Sequence, residues 1–411
     1  WQAPGWGFVT GSQDPNVRFK AAERGWLAKS PSLTLPFTQS RNESLTLRAS
    51  VEPSSDFKIQ LDVKKEETNT YQEIFRYDAS DGGFDVINPS RGGSYRISFL
   101  SIRTAFDRTN GKLESNVFKR FEENIEVMKT RFTSFAGTSF ETLSQDVVIP
   151  AFIAAYSGSD PNSISLSPFP RTPLPNWRVD YTGLSKIQAL KDVFQSVTIS
   201  HAYQSAYSIL NYSNSLENVN PTNVSIRRPV EDYNVTYQGS INDKGQYIPL
   251  YVISQVLISE QFAPLIGINV RTKSRFTARA EYKTKRDLAL NISNAQVTEL
   301  NSKDITCEIG FTKNNMPLPI KSEGRTVVLK NDVTFRMSFS ITDNQTVQRK
   351  VDDISTITNG NINFQLRPNI SYVVNQQLTI QGYFERNINE PLVKNSYPRA
   401  TTRFGVQVRF S

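Results

Sequence analysis

One stretch of this sequence decides its fold: Asp332-Val333-Thr334-Phe335-Arg336-Met337-Ser338-Phe339-Ser340-Ile341-Thr342. Apolar residues stand at every second position from Val333 to Ile341, and polar residues fill the positions between them. Because successive side chains of a strand point to opposite faces, this alternation predicts a β-strand with one apolar and one polar face. The stretch from Asn361 to Val374 has the same pattern.

The alternation recurs along most of the chain, for example from Phe57 to Lys64 and from Arg275 to Lys283. We count about fourteen such segments, each about ten residues or longer. Strands of soluble proteins average about five or six residues, whereas strands that cross a membrane need about nine to eleven. The pattern therefore predicts an all-β fold, a segment of a transmembrane antiparallel β-barrel.

Composition removes several other classes of protein. Of the 411 residues, 38% are hydrophobic, and no run of 18 apolar residues exists, which excludes a helical membrane protein. The net charge of +8 is scattered along the strands rather than gathered in one block, so we expect no nucleic-acid partner. With only Cys307 and His201, the sequence offers no cysteine or multi-histidine metal site. Nothing resembles a catalytic triad, and we predict no enzyme, cofactor or metal.

The chain divides into four segments by pattern. Residues 1–43 lack alternation and are predicted to be a connector, and residues 44–100 are predicted barrel strands. Residues 101–175 are predicted to form a partly helical insertion, because apolar residues recur at helical spacing from Leu113 to Met128 and an apolar run follows from Val147 to Tyr156. We expect this insertion to plug the lumen or to shape the pore or its cap. Residues 176–411 are predicted strands again.

The connections alternate between short and long. Tight hairpins are predicted at Glu52-Pro53-Ser54-Ser55-Asp56, at Lys285-Arg286-Asp287 and at Asn375-Gln376, because turn-forming or charged residues interrupt the alternation there. A long connection is predicted near residues 212–246. No secretory signal stands at Trp1–Trp6, so we expect either that it was removed or that the chain is a piece of a longer polypeptide.

The two faces of the strands predict two environments. The polar face is predicted to line a hydrated lumen with a basic tendency, and the apolar face to meet lipid. The predicted lumen-facing residues are Arg48, Lys58, Arg271, Arg275, Arg279, Lys283, Arg336 and Arg367. The predicted lipid-facing residues are Phe335, Phe339, Phe364, Leu366 and Tyr372.

The last strand carries a motif of its own. Arg403, Gly405, Val408 and Phe410 place a polar residue, a glycine, a hydrophobic residue and an aromatic residue at fixed spacing, one residue from the end of the sequence. This pattern resembles the β-signal by which the barrel-assembly machinery recognises the final strand of outer-membrane proteins. The aromatic residue suits the membrane interface, and the glycine lets another backbone approach closely.

A set of ordered stretches resembles a known family. They are Gly11–Asn16 with Arg18–Ala22, Leu47–Pro53, Gln145–Phe152, Leu174–Arg178, Ile258–Gly267 and Ser396–Phe410. None is a catalytic signature, but the set is specific in its order and covers essentially the whole chain. The chain resembles the C-terminal portion of the SprA/Sov family, the outer-membrane translocon of the type 9 secretion system.

The resemblance implies a single-chain barrel of about 36 strands in the outer membrane of Bacteroidota. Such a translocon exports folded cargo proteins through a large gated pore, in support of gliding motility and of virulence-factor secretion. The implied partners are the remaining N-terminal part of the translocon, a PorV-like smaller barrel, a periplasmic plug protein, the secreted cargo and outer-membrane lipid.

Two other classes stay open. A complete outer-membrane channel for small solutes, with about fourteen strands, would have the same alternation. It would pair the first clear strand, Ser44–Val51, with the final strand, Thr402–Phe410, whereas the translocon places about twenty further strands between them. A soluble secreted adhesin built from β-sandwiches would also alternate, but it would need no detergent.

Charge on the apolar face is predicted to be costly. Near mid-membrane, Phe335→Arg or Phe364→Arg should lower the free energy of unfolding by about 2–4 kcal/mol, because an arginine would enter hydrocarbon. The neighbouring Thr334→Arg is the matched control and should be nearly silent. Denaturant titration in detergent or lipid measures both, and equal effects at Phe335 and Thr334 would contradict the alternation argument.

Overall fold

The structure is a computed structural model of the 411-residue chain. It describes residues 5–12, 14, 16–107, 110, 113–136, 141–215, 240–241, 247–322, 325–393 and 395–410. Seventeen strands are found in these ranges: β1 Phe37–Ser54, β2 Phe57–Tyr77, β3 Phe84–Ser98, β4 Asn176–Tyr181, β5 Phe194–Asn214, β6 Ser240–Ile241, β7 Tyr247–Ile248, β8 Tyr251–Ile253, β9 Gln255–Thr272, β10 Phe276–Asn291, β11 Gln296–Lys313, β12 Met316–Ser322, β13 Arg325–Leu329, β14 Val333–Lys350, β15 Thr356–Val373, β16 Leu378–Pro391 and β17 Arg399–Phe410.

Helices are few. The α-helices are α1 Trp6–Val9, α2 Val17–Glu23, α3 Asn116–Ala136, α4 Gln145–Ser157 and α5 Gln188–Lys191, with 3-10 turns at Ile102–Thr104 and Gly183–Lys186. Within the described ranges, none of these helices has both the length and the apolarity to cross a membrane.

One antiparallel sheet of thirteen strands makes up most of the molecule. Its order is β1-β2-β3-β5-β9-β10-β11-β14-β15-β16-β17, with β4 between β2 and β5 and with β8 beside β5. The strands of this order follow one another as they do along the chain, with other elements between some of them, and every ladder is antiparallel. The predicted all-β antiparallel class is confirmed. In the described part of the chain, no ladder joins β1 to β17, so the sheet has two edges.

The eleven strands in the main order of the sheet are long, from 12 residues in β17 to 21 in β2 and β5. Most exceed the nine to eleven residues, roughly, that a tilted strand needs to cross a bilayer. The sheet therefore extends beyond any band that hydrocarbon could cover.

β3 and β4 lie in the same position of the sheet. β2 pairs with β3 up to Lys65 opposite Ile97, and then with β4 from Asp62 opposite Asn176. The two ends of the intervening segment are held together where the Leu174 amide donates to the Ser98 carbonyl at 3.0 Å. The helical insertion thus leaves and re-enters the sheet in the middle of one strand position.

Several predicted boundaries differ from the structure. β1 begins at Phe37, ahead of the predicted boundary at residue 44, because Phe37–Glu43 pair with Glu67–Glu73 although their own sequence is largely polar. The connector also contains α1 and α2. The helix predicted from Leu113 begins at Asn116, since Leu113 has a φ of 65° and is not helical.

Two predicted hairpins are found, and one is wrong. Turns separate β1 from β2 and β15 from β16, as predicted. Lys285-Arg286-Asp287, however, lies within β10, because the Arg286 side chain is buried against Glu260 of the neighbouring strand rather than exposed in a turn. The long connection predicted near residues 212–246 lies largely outside the described residues.

Glycine packing in β3 yields a test of this arrangement. A Cβ at Gly93 would overlap the Thr68 carbonyl and stand 2.6 Å from the Tyr212 hydroxyl, whereas a Cβ at Gly382 would meet nothing within 4 Å. Gly93→Ala should lower the free energy of unfolding by about 1–3 kcal/mol through overpacking, and Gly382→Ala should change it by less than about 0.5 kcal/mol. Denaturant midpoints compare the two, and a silent Gly93→Ala would contradict the β2–β3–β5 packing.

Candidate functional site

The strand register divides the predicted residues between two faces of the sheet. Directly opposed residues share a face, and Phe335, Phe339 and Ile341 oppose Ile370, Leu366 and Phe364. All five predicted lipid-facing residues lie on this face, which we call the apolar face. The predicted lumen-facing residues on strands lie on the opposite, polar face: Arg48, Lys58, Arg271, Arg279, Lys283, Arg336 and Arg367. Which face meets lipid stays a prediction.

Arg275 belongs to neither face. It stands in the turn between β9 and β10 with a φ of 63°, and its guanidinium lies 3.5 Å from the Asp332 carboxylate. Its assignment to the polar strand face was wrong, because the tight turn required a left-handed residue at that position.

Ion pairs reduce the basic character of the polar face. Arg48 pairs with Asp62 at 3.1 Å, Lys58 with Glu52 at 3.2 Å and Arg367 with Glu385 at 2.9 Å. Arg279 and Lys283 both reach Glu281, at 2.5 and 2.9 Å. Arg271 and Arg336 form no ion pair with any described residue. Exposed ion pairs such as these stabilise a fold by less than about 1 kcal/mol each. They therefore affect the electrostatic potential of the polar face more than the stability of the fold.

The apolar face carries a band whose length suits a membrane. On β14 the band runs from Val333 to Ile341, which at about 3.3 Å per residue is roughly 30 Å along the strand. A strand tilted by about 40° needs about that length to cross an apolar belt about 25 Å tall. We call this part of the apolar face the apolar band.

Beyond the apolar band, charges appear on the same face. Ile341 is followed in phase by Asp343 on β14, Ile305 by Lys303 on β11 and Leu45 by Glu43 on β1. We call this charged part of the apolar face the extension. On β16, by contrast, Arg386 opposes Leu366 and lies within the apolar band. On β1, β11 and β14 the apolar face thus becomes charged on the same side of the sheet.

The final strand follows the same rule. Phe404, Val406, Val408 and Phe410 lie on the apolar face, and Arg403 and Gly405 lie on the polar face. A Cβ at Gly405 would stand 2.8 Å from the Tyr383 hydroxyl, so glycine is needed for the close approach of these two strands. β17 pairs with β16 on one side only, and most of its residues are exposed.

The helical insertion covers part of the extension. Phe121 and Ile125 of α3 and Phe152 of α4 are buried in one cluster with strand residues of the apolar face, including Tyr207 and Ile258. Among the described residues, the apolar side chains of the insertion are therefore buried against the apolar face of the sheet. Because which face meets lipid stays a prediction, the expectation that the insertion plugs the lumen or shapes the pore or its cap also stays a prediction. The strand residues beneath the insertion are apolar on that same face, and the helices shield them from water.

Arg286 and Glu260 connect the sheet to the insertion. They oppose each other on β10 and β9, both nearly buried, with the guanidinium 2.8 Å from the carboxylate. Arg286 also donates to the Thr104 carbonyl at 2.8 Å, and Glu260 accepts from the Ser101 hydroxyl at 2.6 Å. This pair therefore holds the first turn of the insertion on the sheet.

Two further buried arginines act in the same way. Arg349 of β14 pairs with Glu299 of β11 at 2.9 Å and donates to the Leu113 carbonyl of the insertion. Arg18 of α2 pairs with Glu73 of β2, so the N-terminal helix is also held on the extension. Each pair belongs to the apolar face, outside the apolar band.

Tyr156 of α4 lies close to these pairs. Its ring is 5.9 Å from the Arg286 guanidinium, and burial raises the pKa of its phenol well above the usual value. Its hydroxyl has no hydrogen-bond partner among the described residues. Glu122 of α3 is less buried, and desolvation raises the pKa of its carboxyl.

Aromatic rings stand where the apolar band meets the insertion. Trp177 stacks on Tyr203 at 4.5 Å, Tyr203 lies 5.0 Å from Phe262, and Phe262 lies 5.1 Å from Phe106 of the insertion. His201 joins this group and binds the Leu265 carbonyl through Nδ1 at 2.7 Å. Rings with a polar edge suit the boundary between hydrocarbon and water.

Sequence reasoning missed the buried arginines although a signal was present. Arg286 occupies a position in phase with Tyr282 and Leu288, where the alternation calls for an apolar side chain. Here the charge forms a buried ion pair with Glu260. In the described part of the chain, no group of His, Cys, Asp and Glu residues could hold a metal ion.

Removing one partner of the buried pair should release the insertion. Arg286→Met leaves Glu260 buried without its counter-charge, which costs about 3–5 kcal/mol. The free energy of local opening of α4, measured by hydrogen exchange, should fall by about that amount. Arg48→Met, which breaks an exposed pair on the polar face, should change it by less than about 1 kcal/mol. Equal effects of the two substitutions would show that Arg286 does not hold the insertion.

Comparisons with known proteins add little to this picture. No family model and no curated protein matches the chain. Among solved structures, OmpT, an outer-membrane protein of Vibrio cholerae folded in vitro and seen in its trimer form, is similar over 92% of this chain and 99% of its own. The identity is 7% and the TM-score is 0.23, a likeness too low to carry an argument.

Proposed function

We propose that this chain is a wall segment of a protein-conducting outer-membrane translocon of the type 9 secretion system. One observation supports a membrane wall above all others: the apolar face carries a band about one hydrocarbon core long, and the same face becomes charged on one side of it. The polar face opposite the band would then line the pore. The ordered resemblance to the SprA/Sov family supplies the cargo and the secretion system.

The edges of the sheet support a barrel larger than the described sheet. Unpaired backbone groups in hydrocarbon cost several kcal/mol each, so an open sheet does not span a membrane. β1 and β17 are not paired with each other in the part of the chain that the structure describes. We propose that further strands pair with β1 and with β17. The barrel of about 36 strands that the family resemblance implies would require such strands.

The insertion suggests how the wall meets a partner. It covers the outer, apolar face beyond the apolar band, so it does not restrict the proposed lumen. We propose that a smaller barrel of the PorV kind approaches the translocon from this outer face. Cargo and a periplasmic plug protein would instead meet the polar face, where Arg271 and Arg336 form no ion pair with any described residue.

The rival is a complete channel for small solutes. It would use the same two faces but would pair β1 with β17 and would admit no folded protein. The two functions differ in what passes along the polar face: a folded protein in the translocon, and a small solute in the channel.

Site-specific crosslinking tests the proposal in the intact polypeptide. With Cys307 replaced by alanine, single cysteines at Arg279 or Arg336 should react with water-soluble maleimides and should crosslink to a secreted protein arrested during export. Phe335→Cys, on the apolar face, is the matched control and should do neither. Labelling at Arg279 and Arg336 without any cargo adduct would favour the small-solute channel. Equal labelling at all three positions would contradict the membrane wall itself.

A further inference from the structure

An apolar groove runs across four strands of the apolar band. It has a volume of about 490 Å³ and lies between β9, β10, β11 and β14. Its walls are Ile266, Tyr282 and Ile341, and the small residues Ala280 and Cys307 line it between them. All five side chains belong to the apolar face, so the groove opens on the side that the proposed function turns toward lipid.

One end of the groove carries two opposite charges. Lys303 of β11 and Asp343 of β14 line it there, at the boundary between the apolar band and the extension. They oppose each other directly in the ladder between β11 and β14. Both side chains stand on the same face of the sheet as the groove.

These two residues do not pair, although their positions would allow it. Some directly opposed charges in this sheet pair, such as Arg48 with Asp62 at 3.1 Å and Arg286 with Glu260 at 2.8 Å, whereas others, such as Arg279 and Glu308, do not pair with each other. Lys303 and Asp343 form no ion pair within 4.0 Å with each other or with any other described residue. An ammonium and a carboxylate held apart beside an apolar groove are complementary to a headgroup with both charges.

We propose that this groove binds an acyl chain of phosphatidylethanolamine, with its phosphate on Lys303 and its ammonium on Asp343. The inference rests on the proposed function, since it requires the apolar face to meet lipid. Charge complementarity selects the headgroup. Phosphatidylglycerol has the phosphate but no ammonium for Asp343. The quaternary ammonium of phosphatidylcholine carries charge but no N–H to donate to that carboxylate.

Lipid retention by the intact polypeptide tests the site. The protein is purified in detergent, delipidated, and offered equal amounts of phosphatidylethanolamine, phosphatidylcholine and phosphatidylglycerol, and the bound lipid is counted by native mass spectrometry. We expect phosphatidylethanolamine to be retained most, phosphatidylcholine less and phosphatidylglycerol least. Ala280→Phe fills the groove and should lower the retention of all three lipids.

The two headgroup variants should fail in different ways. Lys303→Gln removes the phosphate partner and should lower the retention of every lipid. Asp343→Asn removes only the ammonium partner, so phosphatidylglycerol should now bind at least as well as phosphatidylethanolamine. Arg386→Gln, an exposed change on the same face of β16 outside the groove, is the matched control and should leave the order unchanged.

The outcomes separate this site from the proposed function. If Lys303→Gln and Asp343→Asn behave like Arg386→Gln while the protein still inserts into bilayers, the lipid site is overturned and the membrane wall stands. If the three phospholipids are retained equally, so that retention depends on the acyl chain and not on the headgroup, the assignment of Lys303 and Asp343 is likewise overturned. Failure of the unaltered polypeptide to enter bilayers would overturn both.

Discussion

Backbone hydrogen bonding between neighbouring strands is the constraint on which the rest of this structure depends. The antiparallel ladders fix which residues oppose each other, and therefore which side chains share a face, from β1 to β17. A shift of one residue in any ladder would move an entire row of phenylalanines and isoleucines to the polar face. The irregularity between Tyr282 and Thr284 beside β9 keeps this phase, whereas the bulge between Thr346 and Val347 beside β15 shifts the phase of β15 by one residue. Two environments are thereby separated by the thickness of a single sheet.

The same face serves two purposes along its length. In the apolar band it presents uncharged side chains, and in the extension it presents buried arginine–glutamate pairs that bind loops and helices. Buried pairs are costly to desolvate, and the Arg286 and Arg349 guanidinium groups offset part of that cost because each also donates to a backbone carbonyl of the insertion. Arg286 and Arg349 are therefore both part of the wall and part of the attachment of the insertion.

Much of this fold could be predicted from the sequence, because period-two alternation is a local property that each strand carries by itself. The faces of Phe335, Phe364 and Arg336 follow directly from it. The early start of β1 could not be predicted, because its polar first half becomes a strand only through pairing with β2. Arg286 was misread for a related reason: three charged residues in a row look like a turn until a buried partner is known. The place of the insertion depends on packing between distant segments, and the alternation contains no information about it.

The division of one strand position between β3 and β4 has a consequence for how such a wall changes over evolution. The chain leaves the sheet after Ser98 and returns at Asn176 in the same position of the sheet. The order of the strands on both sides therefore does not depend on the length or structure of the segment between these two residues. The closing entropy of such an excursion grows only slowly with its length, by about 0.6 kcal/mol for each doubling. Because Ser98 and Leu174 are hydrogen-bonded to each other, the segment between them can be lengthened or replaced by another domain without moving its two ends. A sheet of this kind can acquire new surface on its apolar face without a change in strand order.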